Sequence, residues 1–333
     1  MENSPAISTP LLEVKGLKKQ FRVSRRKGWR VEQTVVKAVD GVDITVMPGE
    51  TVGLVGESGC GKTTAGRAIL QLVEPTAGEI RLNGVDLRSL KGEALRQIRR
   101  DIGIVFQDPF AALNPRMLIR DIITEPLMAH GMIKPSEKAE RAAKLLETVG
   151  LRREFANRYP HEFSGGQRQR IGIARAIATD PRLIILDEPI SALDISIRAQ
   201  ILNLLEDLQE EKGLSYLFIA HDLSVVRHIC DRVAVMYLGS IVEQGPSETV
   251  FSSPAHPYTM ALLSAVPVVD PALRKERKLL EGDLPSPVDM PTGCRFRTRC
   301  PIAAERCAEE APALLQIGVN HFAACHFAVS DPK

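Results

Sequence analysis

"TVGLVGESGCGKTT", Thr51 to Thr64, is an apolar run that breaks into Gly56-x-x-x-x-Gly61-Lys62-Thr63. A strand that opens into this loop is a phosphate-binding pattern. Its glycines let the backbone curl so that successive N–H groups face phosphate oxygens, and the helix that follows presents its positive end. Gly56, Glu57, Ser58, Gly59, Cys60, Gly61, Lys62, Thr63 and Thr64 are therefore the candidate cradle. Lys62 is placed to reach β- and γ-phosphates, and the Thr63 hydroxyl to bind Mg²⁺. The plainer reading is a glycine-rich turn before an ordinary helix. The apolar strand ahead and the helix-forming "TTAGRAILQLV" behind argue against it.

Three more apolar runs end in polar residues: "DIGIVFQD" at Gln107, "RLIILDEP" at Asp187 and Glu188, and "LSYLFIAHD" at His221. Continuous apolar runs suit strands buried on both faces of a parallel sheet, where ligands bind beyond the carboxyl ends. Singly, each polar tip is an unremarkable turn residue. Repetition of the pattern points to one shared site. There Asp187 would hold Mg²⁺ beside Thr63, Glu188 would orient or deprotonate a water, and His221 would contact the γ-phosphate. Gln107 would touch the metal or the water.

"FSGGQRQRIGIARAIA" places Ser164 three positions before Gln167, a capping-box spacing ahead of a helical pattern. Gly165 and Gly166 permit close approach at that helix start, which makes either a second anion site or a well-capped helix alone.

Taken in order, "GESGCGKTT", Gln107, "FSGGQ", "LIILDEP", "SALD" and His221 resemble the nucleotide-binding subunit of an ABC transporter, over about residues 11 to 250. The resemblance implies a P-loop NTPase α/β core with a parallel sheet, an N-terminal antiparallel β subdomain and a helical subdomain. Two subunits would sandwich two ATP molecules, with Ser164, Gly165, Gly166 and Gln167 capping the ATP on the partner's loop. Asp194 would communicate across the dimer, and Phe21 would stack on adenine. Phe163 stands where the family more often has Leu, a conservative apolar change. The expected nucleotide-binding domain is 11–253, with the helical subdomain at about 108–178 receiving a coupling helix from a membrane subunit. From the residues alone, Ala139, Ala142, Ala143, Leu146 and Val149 form an apolar face, which is read first as packing in the core.

Composition bounds the alternatives. The 333 residues carry 43 basic and 41 acidic side chains, net +2, against the basic excess expected of a nucleic-acid binder. Neither a signal peptide nor a membrane span is expected, so the chain reads as cytoplasmic, peripheral to the membrane's cytoplasmic face. The basic insertion "SRRKGWRVEQT", with Arg25, Arg26, Lys27, Trp29 and Arg30, suits a solvated hairpin tip or a contact with anionic headgroups. A soluble ATPase acting on ribosomes or DNA would usually carry two ATPase units or a coiled-coil insertion, and neither is present.

After residue 254 prolines interrupt every element, so 254–333 is not expected to continue the doubly wound core. "FSSPAHPYTMALLSAVP" and "EGDLPSPVDMPTGCRFRTRCP" resemble the C-terminal extension of oligopeptide and dipeptide importer ATPases, most of all the second ATPase subunit of dipeptide importers. His256, Pro257 and Tyr258 are its marker. The resemblance implies a second, different ATPase subunit, two transmembrane permeases and a periplasmic or extracellular substrate-binding protein. Nickel, glutathione, opine and sugar importers share this branch. Cys294, Cys300, Cys307 and Cys325, spaced C-x₅-C-x₆-C-x₁₇-C, leave four readings open: disulfides, free thiols, zinc, or a [4Fe–4S] cluster. The resemblance favours the cluster. Arg295, Arg297, Arg299 and Arg306 would then offset its charge, and His321 and His326 keep mixed ligation open.

Overall fold

Leu183–Asp187 is a strand buried at every position, as a run without a polar break must be when both faces are covered. The computed structural model describes residues 9–27, 30–265 and 285–328. The chain divides into two compact units: Met1–Leu12 with Val46–Thr51 and Arg81–Ile219, and Glu13–Thr45 with Val52–Ile80 and Ala220–Lys333.

In the first unit Leu183–Asp187 pairs in parallel with Ile102–Val105 and with Ser215–Ala220. Helix Ile195–Lys212 buries Ile201, Leu202, Leu204, Leu205 and Leu208. Each such aliphatic side chain contributes about 1.5–3 kcal/mol by leaving water. The Tyr216 hydroxyl donates to the Leu205 carbonyl at 2.8 Å and ties strand to helix. Helices Ile119–Ala129, Lys138–Thr148 and Gly165–Ala176 pack on one another. On the second of these, Ala142, Ala143 and Leu146 are buried as their spacing predicts, Leu145 joins them, and Val149 is buried just beyond. Ala139, in the first turn, is exposed, so the apolar face begins one turn later than its sequence pattern suggests.

The second unit carries an antiparallel sheet ordered Arg30–Val46, Leu12–Lys27, Ala77–Leu82. Val42 and Ile44 are buried between exposed Gly41 and Asp43, the alternation of a sheet covered on one face. Trp29 and the side chains of Arg25, Arg26, Lys27 and Arg30 lie outside the described residues.

The same unit pairs Thr51–Val55 in parallel with Arg232–Tyr237, which runs antiparallel to Ser240–Pro246. His321–Ala323 and then Leu315–Gly318 extend that edge. The Pro-rich tail therefore does join the core sheet, as short antiparallel strands that need no crossover helix.

Glu243 holds this junction. Its carboxylate, fully buried, accepts from the Ala255 N–H at 2.8 Å and the His256 N–H at 2.9 Å, and lies 2.8 Å from His321 Nε2. His256 Nδ1 in turn accepts from the Tyr258 N–H at 3.0 Å and caps helix Pro257–Ser264. Burial pushes the His256 imidazole down to about 4, so the folded state keeps it neutral. An unfolded chain takes up that proton near pH 6.5, so stability falls as pH drops from about 6.5 towards 4. The expected loss is at most about 3 kcal/mol. His256→Asn retains a capping acceptor without a proton to gain. Denaturant unfolding at several pH values should show a flatter profile for the variant across that window.

Candidate functional site

In the second unit the strand Thr51–Val55 delivers the chain to the glycine loop, and helix Lys62–Ile69 leaves it. Gly61 has φ +110°, and a Cβ there would lie 2.1 Å from the Ala38 carbonyl oxygen, so only glycine closes this turn. The Lys62 ammonium, almost wholly buried, donates to the carbonyls of Gly56 at 2.8 Å and Glu57 at 2.9 Å. A cation is thereby pinned within the loop. Burial pushes the neighbouring Cys60 thiol up despite Lys62, so this cysteine stays protonated and is a packing residue. Ser58 and Gly59 are exposed, and Thr63 and Thr64 half-buried, on the loop and the first helical turn. Phe21 is partly exposed on its strand, with Lys19 Nζ 4.9 Å from its ring centroid, and so offers an aromatic face. His221 is an exposed residue just beyond Ser215–Ala220.

The remaining expected residues lie in the first unit. Asp187 ends the buried strand and is 2% exposed. Glu188 follows with φ +46°, a left-handed conformation that costs a non-glycine residue about 1 kcal/mol or more. Surrounding bonds impose it: the Glu188 N–H donates to the Ile219 carbonyl at 2.9 Å, and the Ser191 hydroxyl donates to the Glu188 carbonyl at 3.1 Å. The carboxylate receives Gln107 Nε2 at 2.9 Å. Two of the expected strand-tip residues thus meet directly, an amide aiming a carboxylate.

Ser164 and Gln167 form the reciprocal capping box that their spacing predicts, with Ser164 Oγ accepting from the Gln167 N–H at 3.3 Å and Gln167 Oε1 from the Ser164 N–H at 3.1 Å. A Cβ on Gly166 would lie 2.5 Å from Ile197 Cγ2, whereas Gly165 has room. Phe163 is buried edge-on against Phe155 at 5.3 Å, which explains why the larger side chain is accepted there. Asp194 precedes helix Ile195–Lys212, is exposed and makes no side-chain cap bond to it. Beside it Ile195 is 84% exposed.

The tail departs from expectation. Burial pushes the Cys294 and Cys300 thiols up, and nearby Cys307 and Cys325 add to the effect. Yet among the described residues no group of three His, Cys, Asp or Glu side chains is placed to hold a metal ion. The arginines expected to offset cluster charge have other partners: Arg295 binds Asp40, Arg297 the Thr292 carbonyl, Arg299 Glu57, and Arg306 Glu310. His321 is committed to Glu243, and His326 Nε2 lies 3.0 Å from the Glu310 carbonyl. Sequence spacing carries no sign of the Arg299–Glu57 or Tyr258–Glu57 contacts, since their partners lie more than two hundred residues apart.

Residues 39–191 match the ABC transporter family, and residues 242–307 the C-terminal region of oligopeptide/dipeptide transporters. The oligopeptide transport ATP-binding protein AppF of Bacillus subtilis is 53% identical, over 95% of this chain and 97% of that one. The chain belongs to the ABC transporter ATP-binding family. OppF of Salmonella typhimurium, an oligopeptide transport ATP-binding protein, is likewise 53% identical over 95% of both chains. A solved ATP-binding cassette dimer in a post-hydrolysis state with ADP and Pi aligns at TM-score 0.61 and 32% identity, covering 71% of this chain and 98% of that one. The fold is therefore the ABC ATPase fold, and the subunit is an ATPase that uses ATP with Mg²⁺. No helix among the described residues is long and apolar enough to cross a membrane.

Gly61→Ala tests the loop geometry of this ABC ATPase. The forced shift at the Ala38 carbonyl should weaken nucleotide binding by about tenfold or more, an effect of at least about 1.4 kcal/mol. Titration with a fluorescent ATP analogue, alongside a melting curve to confirm folding, provides the measurement.

Proposed function

We propose that this subunit powers import of peptides across a cell membrane, working from its cytoplasmic face. Its partners are a second, different ATPase subunit, two permeases and, through them, a substrate-binding protein. The nucleotide-binding domain is assigned to 11–253, its helical subdomain to about 108–178, and the extension to 254–333. The relatives' activity in oligopeptide transport supports the substrate class. An open groove of about 800 Å³ in the helical subdomain, lined by residues that include Arg152, Arg153, Glu154 and Phe155, supports a docking place for a permease segment.

The roles follow the chemistry of each side chain. Gly56 to Thr64 bind the ATP phosphates, with Lys62 neutralising charge, and Phe21 stacks on adenine. Thr63, Asp187 and Gln107 are hard oxygen donors of the kind Mg²⁺ takes, and the ion would offset charge on the phosphates. Glu188 orients or deprotonates the attacking water, Gln107 holds its carboxylate in line, and His221 contacts the γ-phosphate. Ser164, Gly165, Gly166 and Gln167 cap the ATP on the partner's loop, and Asp194, with Ile195 exposed beside it, faces that partner. The observation that carries this reading is Glu188, held left-handed by its neighbours at the tip of a buried strand with Gln107 on its carboxylate. Backbone held against its preference is a mark of a positioned reactive group.

A [4Fe–4S] cluster on Cys294, Cys300, Cys307 and Cys325, with zinc as the alternative, also stands as a proposal. It is supported by four free cysteines in the extension, with the Cys294 N–H donating to the Cys307 carbonyl at 2.8 Å so that this stretch folds back on itself. Iron, sulfide and zinc analysis of anaerobically purified protein tests it, and stoichiometric zinc without sulfide defeats the cluster.

Glu188→Gln should leave ATP binding intact, trap the closed dimer and slow turnover by roughly 10²- to 10³-fold. Steady-state ATPase at the normal rate would overturn the role. Co-purification of the native protein with permeases is the matching test of partnership, whereas recovery on ribosomes without permeases would sink the importer reading.

A further inference from the structure

Glu57 poses an electrostatic problem. It sits second in a loop whose work is to gather polyphosphate, and an ionised carboxylate there repels the ligand the loop exists to bind. The C-terminal extension meets this residue twice. Arg299 donates to both carboxylate oxygens, Nη1 at 2.8 Å and Nη2 at 3.0 Å, and the Arg299 side chain is only 6% exposed. The Tyr258 hydroxyl accepts the Glu57 N–H at 2.8 Å. A fork-to-fork guanidinium–carboxylate pair fixes orientation as well as charge.

Both contacts rest on a packed base. The rings of Tyr237, Tyr258 and Phe296 lie within 4.6 to 5.5 Å of one another, and His256 borders Phe296. Phe296 and Tyr258 are fully buried, so this base has little freedom to shift. Arg295 adds a second path: it donates to the Leu238 carbonyl and, at 2.6 Å, to Asp40 Oδ2. The next residue, Gly239, donates its N–H to the carbonyl of Cys60 at 2.8 Å. The loop is therefore held at Glu57 and at Cys60 by elements that the extension ties down.

We propose that Arg299 is a positioning residue for the ATP site: it neutralises Glu57 and turns its carboxylate away from the phosphates, so that the extension sets the nucleotide affinity of the loop. Tyr258 fixes the backbone of the same residue, which leaves Arg299 as the charge-bearing half of the clamp. The proposal rests on the assignment of Gly56 to Thr64 as the ATP-phosphate loop.

The test compares the full-length wild type with Arg299→Gln, Glu57→Gln/Arg299→Gln and Lys62→Ala, by MgATP titration at low salt and at roughly 0.5 M salt, where screening is strong. Melting curves verify that each variant is folded. Arg299→Gln should raise the MgATP Kd about tenfold or more at low salt, with a smaller deficit at high salt. The double variant should recover most of the affinity, because the uncompensated charge is gone. A purely structural role for Arg299 predicts no recovery on removing Glu57's charge and no salt dependence of the deficit, and either result overturns the proposal. Wild-type affinity in a folded Arg299→Gln protein overturns it too. Lys62→Ala separates the two levels of inference. If it binds MgATP normally, the loop assignment itself fails. If it loses binding while Arg299→Gln does not, only the role of Arg299 fails.

Discussion

A carboxylate with no exposure to solvent, Glu243, organises the unit that carries the Gly56–Thr64 loop. Leaving such a group without donors inside a protein costs several kcal/mol, so its partners are obligatory. It has three, and they come from different parts of the chain: two backbone N–H groups at Ala255 and His256, and the ring of His321. Satisfying one side chain thereby fixes the start of helix Pro257–Ser264 and the register of the last strand against Ser240–Pro246. From His256 the constraint passes to Tyr258, and from Tyr258 to the backbone of Glu57. The tail is thus continuous with the Gly56–Thr64 loop through hydrogen bonds rather than attached as a passive appendage.

Much of this was legible in the residues because the relevant physics is local. A buried strand running into a glycine loop, the Ser164–Gln167 spacing and the unbroken apolar run before Asp187 each depend on neighbours a few positions apart. All three appear as read. What the residues do not disclose is a partner that lies far along the chain. The four arginines among the cysteines looked like charge compensation for a metal centre, since proximity in sequence was the only guide. Arg299 instead reaches Glu57, and Arg295 reaches Asp40. Glu57 is likewise one more loop residue to its sequence neighbours, and its counter-ion lies 242 positions away. The tail's prolines suggested exclusion from the sheet, but they rule out long regular elements, not short edge strands.

The two units use strain in different ways. At Glu188 a left-handed backbone is imposed on a non-glycine residue, and the bonds of its N–H to the Ile219 carbonyl and of the Ser191 hydroxyl to its own carbonyl supply the restraint. Around the phosphate loop glycine takes the unusual conformations, and restraint comes from side chains of the extension. The first arrangement depends on contacts made within a sheet. The second requires Tyr258 and Arg299, distant in sequence, to be in place.

That requirement has a consequence for biosynthesis. The bond between Arg299 and Glu57 spans 242 residues, so it forms only once the chain has been made through Arg299. Contacts of such separation are late events in folding, since the entropy of closing the intervening loop must be met first. A chain that stops short of Arg299 therefore lacks this counter-ion for Glu57.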